Sequence, residues 1–351
     1  MTLRLAVVGV GDVAQRDYLP ELGRFADRVE VVVACSRTEA RARDVAQRFA
    51  IPHWTTSVPE AVSADDVDAV VNLTPIETHL EVTLAALESG KHVYSEKPVA
   101  GSVADIDRIA GEAAKRGLVV VTAPCVMLFP QVVWAQTALS RGDLGPVHSA
   151  RGHGHGGVPP WGGFLSDPTP YFAPSAGALV DMAVYPLHAL TGLLGPVRRV
   201  SALSNRTRER FAIENGPFAG RSVDVESDDN WHIVLEHESG ALASVEANTC
   251  ADAAVGPELE LRGEAAALGL SLVDVAAPVR LVRDGTEQAE TIAHERTSGP
   301  DHVLGIAHLA ECVSSGSEPV IGLAPARHVL EILAAARASV AERRVVEIGH
   351  G

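Results

Sequence analysis

The sequence predicts two domains of different class: an N-terminal α/β domain with a doubly wound parallel (Rossmann) sheet over residues 1–123, and a C-terminal α+β domain with a large, mainly antiparallel open sheet over residues 124–351. Three observations predict it. Short Val-rich apolar runs alternate with helical segments over the first 120 residues. From about Ser149 the chain turns to Gly-, Pro- and aromatic-rich sequence and then to alternating strands. A length of 351 residues also exceeds what one hydrophobic core usually serves.

The elements follow in order. "LRLAVVGV" (3–10) and "VEVVVACS" (29–36) are nearly continuous apolar runs, the pattern of strands buried on both faces. "TEARARDVAQRFA" (38–50) is helical, with Ala42, Val45, Ala46 and Phe49 on one face. Next come the strand "VDAVVNLTP" (67–75), the helix "ETHLEVTLAALESG" (77–90), the strand "KHVYSEKP" (91–98), the helix "VADIDRIAGEAAKRG" (103–117) and the strand "LVVVTAP" (118–124). Gly90 and Gly117 close their helices as C′ residues. Repeated strand–helix–strand units imply right-handed crossovers and a parallel sheet.

Residues 151–177 read as ordered irregular chain, followed by the helix "ALVDMAVYPLHALTGLLG" (178–195). Two hairpins are predicted, one turning at Glu238-Ser239-Gly240 and one at Asp284-Gly285. Helices near Ile306–Ser314 and Ala324–Ala341 close the chain, the last able to pack back on the first domain.

Composition narrows the function classes. A net charge of −16 repels phosphate backbones and anionic membrane surfaces, so nucleic-acid and membrane partners are not expected. Cys35, Cys125, Cys250 and Cys312 are scattered without a C-x-x-C pair, which argues against a zinc ribbon or disulfide framework and suits a reducing, cytoplasmic location. The N-terminus carries no basic, signal-like segment. Leu118–Ser140 lacks charge over a membrane-spanning length, but Pro124 and Pro130 divide it into strand, loop and helix.

A cofactor signal opens the chain. "GVGDVA" (9–14) sets Gly9, Gly11 and Ala14 in a G-x-G-x-x-A pattern between strand and helix. Gly9 permits a tight turn, Gly11 lets backbone approach a pyrophosphate, and Ala14 keeps the helix close to the strand. The segment Gly9, Val10, Gly11, Asp12 and Val13 is therefore a predicted dinucleotide cradle. The second strand ends in "CSRT" with no acid for a ribose 2′-OH. Ser36 and Arg37 offer a hydroxyl and a guanidinium suited to a 2′-phosphate, which favours NADP(H), with NAD(H) as the alternative.

Four segments, "GVGDVA", "NLTPIETH" (72–79), "YSEKPVA" (94–100) and "GALVDMAVYPLH" (177–188), together resemble the Gfo/Idh/MocA oxidoreductases. The resemblance spans nearly the whole chain. It is strongest to the branch of glucose–fructose oxidoreductase and dimeric dihydrodiol dehydrogenase, which carries tyrosine in the last motif. It implies that Thr74 and Pro75 line the cofactor with His79 nearby, and that Glu96 and Lys97 face nicotinamide and substrate before a cis Lys97–Pro98 bond. It also implies that Asp181 and Tyr185, four apart on one helix, point into the active-site cleft.

Hydride transfer at a carbon bearing oxygen requires a proton exchange with that oxygen. The expected roles are Tyr185 as acid/base, Lys97 as the ammonium that favours its phenolate, and Asp181 as an orienting group. The implied activity is oxidation or reduction of a secondary alcohol or ketone of a sugar, cyclitol or similar polyol, in a homodimer or homotetramer formed through the C-terminal sheet. Rival readings on the same scaffold are NAD-retaining redox-assisted glycoside cleavage and a non-catalytic NADP(H) sensor.

Some residues stay open. The stretch "APCVMLFP" (123–130) is apolar where the family often places Asn or Arg. His153 and His155 in "RGHGHGG" read as substrate contacts or surface rather than a metal pair. His188, one turn past Tyr185, reads as a substrate neighbour or a core histidine. Trp161 in "PPWGGF" either covers the nicotinamide or packs beneath a glycine loop.

Overall fold

A computed structural model describes residues 2–161, 164–251 and 255–349, so Gly162 and Gly163 of the "PPWGGF" segment lie outside the described residues. The chain divides into two compact units, Met1–Cys125 with His302–Arg327, and Val126–Asp301 with His328–Gly351.

In the first unit, β1 (Leu3–Val8), β2 (Val29–Cys35), β3 (His53–Thr55), β4 (Ala69–Asn72), β5 (His92–Ser95) and β6 (Val120–Thr122) form one sheet. Its order is β3-β2-β1-β4-β5-β6 and its pairings are parallel. That order reverses between β1 and β4, the switch point of a dinucleotide-binding doubly wound fold. The helices are α1 (Glu39–Arg48), α2 (Val58–Ser63), α3 (His79–Glu88) and α4 (Val103–Arg116). Helix α4 is capped at both ends: Ser102 accepts the Asp105 N–H at 3.2 Å, and Gly117 takes φ 66° at C′.

Two features were not legible in the sequence. β3 and α2 are too short to show periodicity, and β3 is an exposed edge strand with no apolar run to betray it. The segment after the glycine turn is also not a regular α-helix. Ala14–Tyr18 is a π-helical turn closed by the Leu19 N–H on the Ala14 carbonyl at 2.8 Å, and Pro20 then has no N–H with which to continue.

At the start of β1 the Asp68 carboxylate accepts the Arg4 backbone N–H at 2.9 Å, Nε at 3.1 Å and Nη2 at 3.0 Å. The Arg4 hydrogen bonds hold Asp68 below the usual carboxylate range. A depressed native value contributes stability that is present above the ordinary carboxylate pKa and lost as pH falls through the folded one. Asp68→Asn is therefore expected to cost about 1 kcal/mol in urea unfolding at neutral pH, since the Arg4 side chain is 40% exposed and partly screened. The difference from the parent should shrink as pH falls below about 4. An equal cost at every pH would dismiss the charge.

The second unit contains α5 (Pro130–Ser140), β7 (Val147–His155), α6 (Gly177–Asp181), α7 (Val184–Leu194), β8 (Val197–Asn205), a small hairpin of β9 (Arg210–Ala212) and β10 (Ser222–Asp224), β11 (Asn230–His237), β12 (Leu242–Asn248), β13 (Leu259–Gly263), β14 (Ala267–Leu270), β15 (Val279–Arg283) and β16 (Thr286–Glu290). After α8 (Leu304–Ser315) and α9 (Leu323–Glu342) comes β17 (Val346–Glu347). Nine strands form one sheet in the order β16-β15-β14-β13-β7-β12-β11-β8-β17. It is antiparallel except for β7 beside β12. Both predicted hairpins form; Asp284 and Gly285 take φ of 50° and 75°, the left-handed pair a type I′ turn requires.

The alternation of glycine in β7 has a packing cause. A Cβ at Gly152 would stand 2.6 Å from Pro186 Cβ, and one at Gly154 would fall on the Met182 carbonyl. Helices α6 and α7 thus press on one face of the sheet, and Arg151, His153 and His155 turn to the other. Helix α8 belongs to the first unit. No helix among the described residues is long and apolar enough to cross a membrane.

Candidate active site

In the first unit the carboxyl ends of β1, β4 and β5 carry the predicted cofactor residues. Gly9 has φ 96°, and a Cβ there would lie 2.6 Å from the Leu73 carbonyl carbon and oxygen, so the fold itself demands glycine. Gly11 differs: a Cβ would meet no protein atom within 4 Å. Packing gives no reason for glycine at 11, which fits a ligand approaching the backbone and is the test a dinucleotide must pass here. The Val10 side chain is fully buried in the core, while Asp12 and Val13 are half-buried. Ser36 is buried with its N–H on the Thr55 carbonyl at 3.2 Å, and Arg37 is exposed beside it.

Asn72, which the sequence reading did not single out, organises the end of β4. Fully buried, it donates through Nδ2 to the His79 carbonyl at 3.0 Å and to Thr83 Oγ1 at 3.2 Å, and Oδ1 accepts Thr74 Oγ1 at 2.7 Å. Thr74 is half-buried and Pro75 exposed.

His79 corrects its expectation. Its ring is buried, with Nε2 at 2.7 Å from the Thr74 carbonyl and Nδ1 at 2.7 Å from the Pro98 carbonyl. Both nitrogens are used on backbone, so its part in a cofactor site is to stitch two turns together.

Glu96 is also engaged inward. Oε1 accepts the Tyr18 hydroxyl at 2.6 Å and Oε2 accepts the Lys97 N–H at 2.9 Å. Lys97 itself is half-buried and precedes a cis bond to Pro98.

In the second unit the predicted single helix is two. Helix α6 ends at Asp181, and α7 begins at Val184 after a break at Met182–Ala183. Both break residues keep right-handed backbone, with φ −105° and −65°, so the four-residue spacing still brings Asp181 and Tyr185 to similar azimuths. Every residue from 176 to 190 is buried except these two. A segment so apolar has one partly open edge, and it carries a carboxylate and a phenol.

The histidines separate from that edge. His188 is buried, and burial pushes it down to about 4, which favours a neutral imidazole in the core. His153 and His155 lie on the sheet face opposite α6 and α7, which removes them from the surface shared with Asp181 and Tyr185. They border a pocket of about 370 Å³ with Arg151, His232 and Glu246. Their rings lie 4.8 Å apart, and both His153 nitrogens lack hydrogen-bond partners. Burial first, and His155 second, lower the His153 pKa, while Glu258 and then the Pro257 backbone oppose this. Among the described residues no group of three or more His, Cys, Asp or Glu is arranged to hold a metal ion. Trp161 packs edge-on against Tyr171 at 4.8 Å and Phe164 at 5.8 Å.

Comparison with known proteins agrees with this geometry. A family model described as "Oxidoreductase family, NAD-binding Rossmann fold" matches residues 3–123, and one described as "GFO/IDH/MocA C-terminal domain" matches 132–269. The chain is 32% identical over 142 residues to 4-carboxy-2-hydroxymuconate-6-semialdehyde dehydrogenase of Sphingobium sp., a match covering 40% of this chain and 44% of that protein. It is 24% identical over 330 residues to scyllo-inositol 2-dehydrogenase (NAD(+)) of Bacillus subtilis, covering 91% of this chain and 88% of that one. The solved aldose-aldose oxidoreductase of Caulobacter crescentus superposes with a TM-score of 0.83 at 21% identity, over 99% of this chain and 100% of that one, which is a likeness of fold.

Proposed function

Because the chain belongs to the GFO/IDH/MocA family of oxidoreductases, with its NAD-binding Rossmann domain, we propose that it oxidises or reduces a secondary alcohol or ketone carbon of a sugar, cyclitol or related polyol, with NADP(H) preferred. The observation that carries the reading is the pair Asp181 and Tyr185, alone partly exposed in a buried helical segment. The full-length match to an inositol dehydrogenase supports the substrate class. Support for NADP(H) comes from exposed Arg37 just past the carboxyl end of β2, a strand whose own sequence continues into Ser36 and Arg37 rather than an acid.

The cofactor, when bound, supplies or accepts the hydride. In this reading Tyr185 exchanges the proton with the substrate oxygen, the Lys97 ammonium donates to the substrate, and Asp181 orients substrate hydroxyls. Glycines 9 and 11, Ser36, Arg37 and Thr74 hold the dinucleotide. A second copy of the chain covers the outward face of the nine-stranded sheet. That face leaves Leu203 77%, Val234 51% and Leu242 52% exposed, around the pocket that contains unpartnered His153.

The deciding experiment is a panel of sugars, inositols and diketones assayed with NADPH, NADH and their oxidised forms. Turnover of at least one polyol or ketone is expected, with tighter NADPH than NADH binding that Arg37→Ala abolishes by weakening NADPH about tenfold or more. Equal affinities in the parent would refute the NADP(H) preference. NAD carried through purification and retained during turnover would support the redox-assisted cleavage alternative instead.

A further inference from the structure

We infer that Tyr18 is a positioning residue for Lys97: its hydroxyl fixes the Glu96 carboxylate, and Glu96 in turn holds the peptide that carries the lysine. The inference rests on the reading of Lys97 as catalytic.

Tyr18 and Tyr94 are 1% and 0% exposed, among the largest fully buried side chains of the protein. Buried hydroxyls need partners, and each has one proton to give. Tyr18 donates to Glu96 Oε1 at 2.6 Å, so at the 2.9 Å contact between the two phenols Tyr94 is the donor. The chain of donors runs from Tyr94 through Tyr18 and ends on a carboxylate. The other oxygen of that carboxylate takes the Lys97 N–H at 2.9 Å. Glu96 is thus gripped from both sides, by the segment after the glycine turn and by the backbone of the lysine.

The grip is rigid. The tyrosine rings meet edge-on at 5.9 Å, and the His302 ring lies 5.8 Å from Tyr18. A Cβ at Gly305 would fall on the Tyr94 ring, so α8 presses directly on it. Burial first and the Glu96 charge second push the Tyr18 hydroxyl well above its ordinary value, which keeps it a donor. Phenylalanine would fill the same volume. What the hydroxyl adds is a charge-assisted hydrogen bond, stronger than a neutral one, to the residue before Lys97.

The test is Tyr18→Phe, with folding checked by thermal unfolding. The chain has only three lysines, Lys91, Lys97 and Lys115, so reductive methylation with formaldehyde and borohydride, read by peptide mass spectrometry, compares Lys97 with two internal standards. The Lys91 amine is held by the Ala64 and Val67 carbonyls, remote from this network. The Lys97 labelling rate should change about threefold or more while Lys91 and Lys115 keep theirs. Turnover should fall about tenfold with NADPH affinity within about twofold, the loss of one charge-assisted bond. In a Lys97→Ala background the same substitution should cost almost nothing further.

Parent-like labelling and turnover in a folded Tyr18→Phe protein would overturn the inference, as would the full loss persisting without Lys97. Glu96→Gln, which keeps the shape, gives the same readings if Tyr18→Phe does not fold. Labelling needs no substrate, so a changed Lys97 rate with unchanged turnover would uphold the Tyr18 link and reject the catalytic role of Lys97.

Discussion

Gly9→Ala should leave a protein that unfolds readily and no longer holds a dinucleotide. Two costs add. At φ 96° an L side chain is strained, and the new methyl would stand 2.6 Å from the Leu73 carbonyl carbon and oxygen and 2.7 Å from the Thr74 nitrogen. Those atoms are backbone, and β1 and β4 are hydrogen-bonded neighbours up to the Val8–Asn72 pair just before the turn, so neither side can yield without parting the sheet. A loss of roughly 3 kcal/mol or more is expected in urea unfolding, with NADPH affinity down more than about a hundredfold. Gly11→Ala is the matched control, because among the described residues no atom beyond its chain neighbours lies within 4 Å of the added methyl. Its stability should stay within about 1 kcal/mol of the parent while NADPH binding weakens severely. Parent-like NADPH binding by Gly11→Ala would remove that residue from the cofactor site.

Lys97→Ala and Tyr185→Phe should each lower turnover by about a hundredfold or more and leave NADPH affinity within a few fold. The asymmetry follows from the chemistry: proton exchange with the substrate oxygen is needed in the transition state, whereas the groups proposed to hold the dinucleotide are others. Tyr185→Phe preserves the ring, and the residues that anchor this part of α7, Val184 and Pro186 to Leu190, stay buried, so folding should be unaffected. Undiminished turnover in either variant would strike that residue from the mechanism.

The parallel sheet was readable because a strand buried on both faces writes an uninterrupted apolar run, and glycine at C′ punctuates the helices between. Gly9 was readable for a related reason, since the turn glycine sits at a fixed offset from such a run, whereas Lys97 was singled out through the resemblance that "YSEKPVA" carries. The alternation of glycine with charge and histidine in β7 was visible too, but its meaning was not. Period two says that His153 and His155 share a face, and only the contact of Gly152 and Gly154 with Pro186 and Met182 says which. The break between α6 and α7 was hidden because the residues that form it, Met182 and Ala183, are good helix formers.

Local pattern therefore decided the longer strands and helices, the glycine turn and the family motifs, since each is written within a few neighbouring residues, whereas β3, α2 and the break after α6 left no such mark. Packing across the chain decided which polar groups are available. The His79 ring is spent on two backbone carbonyls, one of them 19 residues away, and His188 is sunk in the core. Tyr18 reaches Glu96 across 78 residues. Such pairings depend on sheet order and register, and spacing along a single chain carries no record of them.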